Sequence, residues 1–301
     1  MVLEIAAAAP RADTASIALI TSTVTRTFMV SFPDEHARIA RFASGITRLS
    51  FTLLDGRDPR PLGYSPFRMT SKTGTVRDVL AWLEHRGSKR NREGMARYGI
   101  VSPKAFGVSM ATMKTLAKRL GRDHDLAAAL WATGWYEARI LCSFVDEPGK
   151  ITAAQMERWA RQFDNWAICD TICFHLFDRT PHAWRKVEQW RSRKDEFVRR
   201  AGFALLACLA LHDKTAPDAT FRRALPWIEE AATDERNFVK KGVSWALRGI
   251  GQRSSALHAA SMKTAERLAK SKSASARWIG KDAVRDLTSP AATRRLARRA
   301  R

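Results

Sequence analysis

From Thr75 to the end of the chain, apolar positions recur three and four residues apart in runs separated by short polar joints, the period of amphipathic helices. No segment there shows the strict alternation of a strand. The pattern predicts helix after helix, each about 12 to 18 residues long, with breaks at Pro103, Gly121 to Asp123, Pro148 to Thr152, Pro181, Pro217 and Asp234 to Asn237. Thr152 and Gln155 are spaced as a capping box, and Asp195 and Asn237 precede helical runs they could cap. Helix pairs follow one another at intervals of roughly 35 to 45 residues, the period of stacked helix pairs in a solenoid. The expected fold class is therefore all-α.

Three of these helices break the simple pattern in ways that bear on chemistry. In FDNWAICDTICFHLF, Ile168, Ile172 and Leu176 form one stripe, which puts Trp166, Asp170, Cys173 and Phe177 on the other side. Asp170 is the one acid between Trp166 and Phe177, and a carboxylate in such a run needs a partner or a task. In NFVKKGVSWALRGIG the core stripe is Val239, Val243, Ala246 and Ile250, so Trp245 falls opposite it with Lys241 and Arg248. In EFVRRAGFALLACLALHD, Val198, Gly202, Leu205 and Leu209 face inward. Arg200 then projects from the other side near Ala204 and Ala207, with room to reach a phosphate or to act as the counter-ion of Asp170.

Charge sharpens the picture. The chain carries 52 Lys and Arg against 30 Asp and Glu, a formal charge of +22, and an anionic polymer is the partner such a balance suggests. Residues 1–68 contribute only +2 and none of the ten Trp, so the basic, tryptophan-rich part begins near Met69. We expect residues 1–68 to be an extension, disordered or from a misassigned start, residues 69–287 to form the functional domain, and residues 288–301, ending TRRLARRAR, to be a basic tail that attracts an anionic partner without positioning it. Lys114, Lys118 and Arg119 read as a solvated face. The four Cys (142, 169, 173 and 208) lack paired metal spacing and read as buried free thiols, while His124, His175 and His182 have no partners at catalytic spacing. No run of apolar residues is long enough to span a membrane.

Five segments, in order, resemble the AlkD-type DNA alkylation repair family of HEAT-like DNA glycosylases: MARYGIVSPKAFGV, LWATGWYEARILCSFV, NWAICD, FVRRAGFALLA and NFVKKGVSWALR. The resemblance spans about Thr75 to Leu287. It implies a HEAT-like α-solenoid of stacked antiparallel helix pairs with a basic concave cleft, and a cytoplasmic, nucleoid-associated monomer acting on double-stranded DNA. The implied activity is monofunctional hydrolysis of the N-glycosidic bond of N3- and N7-alkylated purines, with no metal or organic cofactor. Carried over by residue, Asp170 is the catalytic carboxylate and Trp166, Trp245 and Tyr98 form the lesion cleft. Arg200 is a backbone contact beside it, with Lys241 and Arg248 as neighbouring DNA-binding cations. A lone carboxylate fits that chemistry, because an alkylated purine is already cationic and leaves without a general acid. An alternative in a different class is a non-catalytic protein of the same fold that grips damaged or branched DNA.

Overall fold

The computed structural model describes residues 74–299; residues 1–68, expected to be an extension, lie outside the described residues. The described residues are helical with short joints and contain no strand. In chain order the helices are α1 (Val76–His85), α2 (Lys89–Ala96), α3 (Met110–Leu120), α4 (His124–Ala132), α5 (Tyr136–Val145), α6 (Ala153–Ala160), α7 (Trp166–His175) and α8 (Ala183–Trp190). They continue as α9 (Glu196–His212), α10 (Asp218–Arg222), α11 (Leu225–Ala231), α12 (Asn237–Gly251), α13 (Ser255–Ala269), α14 (Ala274–Leu287) and α15 (Pro290–Arg299). Several are shorter than expected. Helix α2, for example, is a polar stretch of 8 residues with none buried, too short to stand without the neighbouring loop.

Packing follows the two-layer logic of a solenoid. Helices α5, α7, α9, α12 and α14 pack in succession as one row, while α4, α8 and α13 cover α5, α9 and α14 from the other side. A helix in the middle of such a row is covered on several sides, so its sequence loses the clean polar face of a surface helix. Helix α9 shows this best: twelve of its 17 residues are buried, Arg200, Ala204 and Ala207 included. Close approach is built in at Gly202, where a Cβ would lie 2.8 Å from the backbone nitrogen of Arg191, at the end of α8.

The joints occur where the punctuation places them, but the caps differ. The Thr152 hydroxyl accepts from the Gln155 amide at 3.1 Å, while the Gln155 side chain turns away to donate to Asp146 Oδ2 at 3.1 Å, so only half of the capping box forms. Asp195 stands at the N-cap of α9 and makes no capping bond, and Asn237 is the first residue of α12 rather than its cap. Phe177 also departs from its expected face. Helix α7 ends at His175, and Phe177 begins a 3-10 turn in which it is fully buried near Trp159, Phe163 and Trp190.

The basic tail is structured over Pro290–Arg299 rather than floating: Ala292 is buried, and Arg295 donates to Gln252 at the end of α12. All four cysteines are buried as free thiols. Among the described residues no helix is long and apolar enough to cross a membrane.

Candidate active site

The site begins with a cap. Asn165 is 1% exposed, and its side-chain oxygen accepts from the Ile168 amide at 3.0 Å, which starts α7 at Trp166 and sets the rotation of every residue after it. Asp170 follows one turn later. Because α7 lies between α5 and α9, both of its apolar sides are covered, and Asp170 is only 4% exposed.

Its partner comes from α9. Arg200 Nε donates to Asp170 Oδ1 at 2.8 Å and Nη2 donates to Oδ2 at 2.7 Å, a two-pronged pairing of planar groups. The remaining guanidinium nitrogen, Nη1, donates to the Phe238 carbonyl at 2.6 Å, in the first turn of α12. Helix α12 can lie this close because Gly242 faces Arg200; a Cβ there would sit 3.4 Å from Arg200 Cγ. One carboxylate and one guanidinium thus tie three consecutive helices of the row.

Arg200 is 2% exposed, so the expectation that it projects toward a DNA phosphate does not hold. It is the counter-ion of Asp170. The missed cue is α9 itself, whose apolar residues run around the whole helix and leave no side for a solvated cation. Burial pushes the Asp170 carboxyl up while the Arg200 charge and hydrogen bonds oppose it, and Arg200 is raised by Asp170 against its own desolvation. Two short charge-assisted bonds between ideally matched groups make the ionised pair the resident state.

The other expected residues separate into two groups. Trp166 is half-buried and donates its indole N–H to the Tyr98 carbonyl at 2.8 Å, so the loop after α2 is fastened to the start of α7. Tyr98 is 50% exposed. Lys241 and Trp245 are half-buried on α12, flanking Gly242 and following it by one turn. Arg248 does not join them as a DNA contact. It is buried, its Nε donates to the Ser244 carbonyl at 3.3 Å, and it lies 3.5 Å from both Asp282 and Asp286 of α14. It is a strut between successive repeats, a role hidden from local sequence because the acids lie 34 and 38 residues away.

Sequence periodicity also missed Glu137. This fully buried carboxylate on α5 accepts from the backbone amides of Phe106, Gly107 and Val108 at 3.0, 2.7 and 3.2 Å. It holds the loop that carries Tyr98 at its other end. Of the histidines expected to lack partners, His124 in fact pairs with Asp146 at 2.7 Å, while burial, with Lys114, Arg179 and His212 nearby, lowers His175 to about 3. Among the described residues no group of His, Cys, Asp and Glu is arranged to hold a metal.

The helical row into which these residues are built has counterparts among known proteins. Residues 79–287 match the family described as DNA alkylation repair enzyme. The chain belongs to that family. It is also similar to a solved structure described as "A new family of proteins related to the HEAT-like repeat DNA glycosylases with affinity for branched DNA structures", at 20% identity and a TM-score of 0.60, covering 70% of this chain and 95% of that one. At that identity the likeness speaks for the fold, which is the expected HEAT-like α-solenoid. No curated protein matches the chain.

Proposed function

We propose that this DNA alkylation repair protein is a monofunctional glycosylase that hydrolyses the N-glycosidic bond of N3- and N7-alkylated purines in duplex DNA. The observation that carries the reading is Asp170: a carboxylate held ionised, out of bulk water, one turn from a tryptophan that remains partly accessible. Alkylation leaves the purine positively charged. When the C1′–N bond breaks, its electron pair neutralises the base, and the positive charge passes to the sugar. A fixed anion at that point stabilises the developing oxocarbenium ion without reorganising, because its orientation is already set by Arg200. Water then bonds to C1′ and loses its proton to Asp170 or to solvent. Partly accessible Trp166 and Trp245 offer aromatic faces to the cationic nucleotide. Arg200 acts here as a positioning residue, orienting the carboxylate and keeping it charged.

One observation favours the second reading, a protein that binds distorted or branched DNA without cutting it. Both Asp170 oxygens are engaged by Arg200, and a pair so buried also serves as a pure structural tie. The deciding experiment is incubation of the full chain with duplex DNA carrying one 7-methylguanine, followed by alkaline cleavage of abasic sites. Strand cleavage at the lesion by the wild-type chain and its loss in Asp170→Asn, with DNA binding retained, is the result expected of a glycosylase. Tight binding with no abasic product would establish the second reading instead.

A further inference from the structure

The segment from Arg86 to Val108 holds six Lys and Arg and one acid, Glu93, and its central loop is both firmly held and apolar at its tip. On the way in, Gly99 takes φ +69° to turn the chain out of α2, at a point where a Cβ would lie 3.6 Å from the Phe238 ring, and Ile100 is buried. On the way out, Ala105 is buried and the next three amides are gripped by Glu137. The Lys104 carbonyl accepts from the Tyr136 amide at 2.8 Å, and the Phe106 ring stacks on Trp135 at 3.9 Å. Between these anchors stand Val101, 75% exposed, and the exposed Pro103.

A loop tied at both ends has already lost the entropy that docking would otherwise cost, so its exposed Val101 and Pro103 are presented to a partner at fixed positions. Exposed Arg90, Arg97 and Lys104 flank it, which selects a polyanion over an apolar protein surface. Its base is fastened to Trp166, one turn before Asp170 on α7. We propose that Val101 and Pro103 form a wedge that enters duplex DNA at a disrupted base step, stacking where an unpaired or displaced base leaves a gap. Apolar side chains inserted at a step are a general means of holding kinked DNA, and unstacking is cheapest where the duplex is already broken. The wedge thereby confers a preference for distorted over intact duplex.

The inference rests on the proposed DNA-binding function, and the test separates the two. Affinity of the full-length chain is measured for an intact duplex and for the same duplex with a single unpaired nucleotide, over a salt series, alongside release of 7-methylguanine. Wild type should favour the distorted duplex. Val101→Ser/Pro103→Ser should lose about tenfold of that preference, the scale of one stacking contact, with binding to intact duplex, its salt dependence and the Tm unchanged. Val101→Met, longer but still apolar, should retain it. Should the Ser variant keep the full preference, or wild type show none, the wedge is overturned. Absence of excision with the preference intact would defeat the glycosylase reading and leave the wedge standing.

Discussion

Two cationic regions of this protein meet opposite fates. In the α7–α9–α12 row, Arg200 and Arg248 are buried and matched to carboxylates on neighbouring helices. Along α2 and the loop that follows, Arg90, Arg92, Arg97 and Lys104 are exposed around an apolar tip. The residue type is the same, and depth decides its use. A guanidinium removed from water must be compensated within the molecule and becomes architecture, while one left in water remains available to a phosphate. The positive charge of the chain is therefore a poor map of the cations open to a partner until burial has been subtracted.

The largest effect should come from breaking the buried pair. Arg200→Ala leaves Asp170 charged and unpaired in the interior, a change expected to cost about 3–5 kcal/mol in urea unfolding and to abolish excision. The double variant Asp170→Leu/Arg200→Met should be more stable than Arg200→Ala while remaining without excision, because no isolated charge is left behind. If the double variant is as unstable as the single, the pair is held by something other than mutual compensation.

An intermediate effect concerns acid. His175 is held neutral down to about pH 3, mainly by burial, whereas in the unfolded chain it protonates near pH 6.5. Between those values the unfolded state binds the extra proton, so stability is full above about pH 6.5 and declines as pH falls toward 3. Thermal unfolding followed from pH 7 to pH 4 should show the decline, and His175→Gln should flatten it. A Tm insensitive to pH in the wild type would mean that His175 is as solvated as the residues of α2.

The smallest effect on stability belongs to the exposed region. Arg97→Ala should change unfolding free energy by no more than about 0.5 kcal/mol, yet lower the slope of log K against log salt by about 0.9 if Arg97 meets one phosphate. Arg248→Ala should do the reverse, costing stability while leaving the salt slope alone. Equal slopes for both variants would erase the distinction between the two regions.

Helix order, joints and core stripes were legible in the sequence of the described residues, although several helices are shorter than their spacing suggests. Val239, Val243, Ala246 and Ile250 are all fully buried, as their spacing on α12 requires, and Val198, Gly202, Leu205 and Leu209 are buried on α9. The resemblance of five ordered segments led to Asp170, and the helix around it was recognisable as unusual from its lone acid. The assignment of Arg200 and Arg248 as outward contacts was a misreading of helices covered on several sides. A single period marks which face is most apolar, but it does not reveal that the opposite face is covered too.

Local sequence by itself determined the helices, because spacing, caps and breakers act within a few residues. What it could not determine is which charges meet. Asp170 and Arg200 are 30 residues apart, and Arg248 and Asp282 are 34 apart. Such pairs exist only once successive repeats have stacked in register. The tertiary structure decided which cations are struts and which are left in water, since desolvation depends on the depth of a group in the stack and not on its neighbours along the chain.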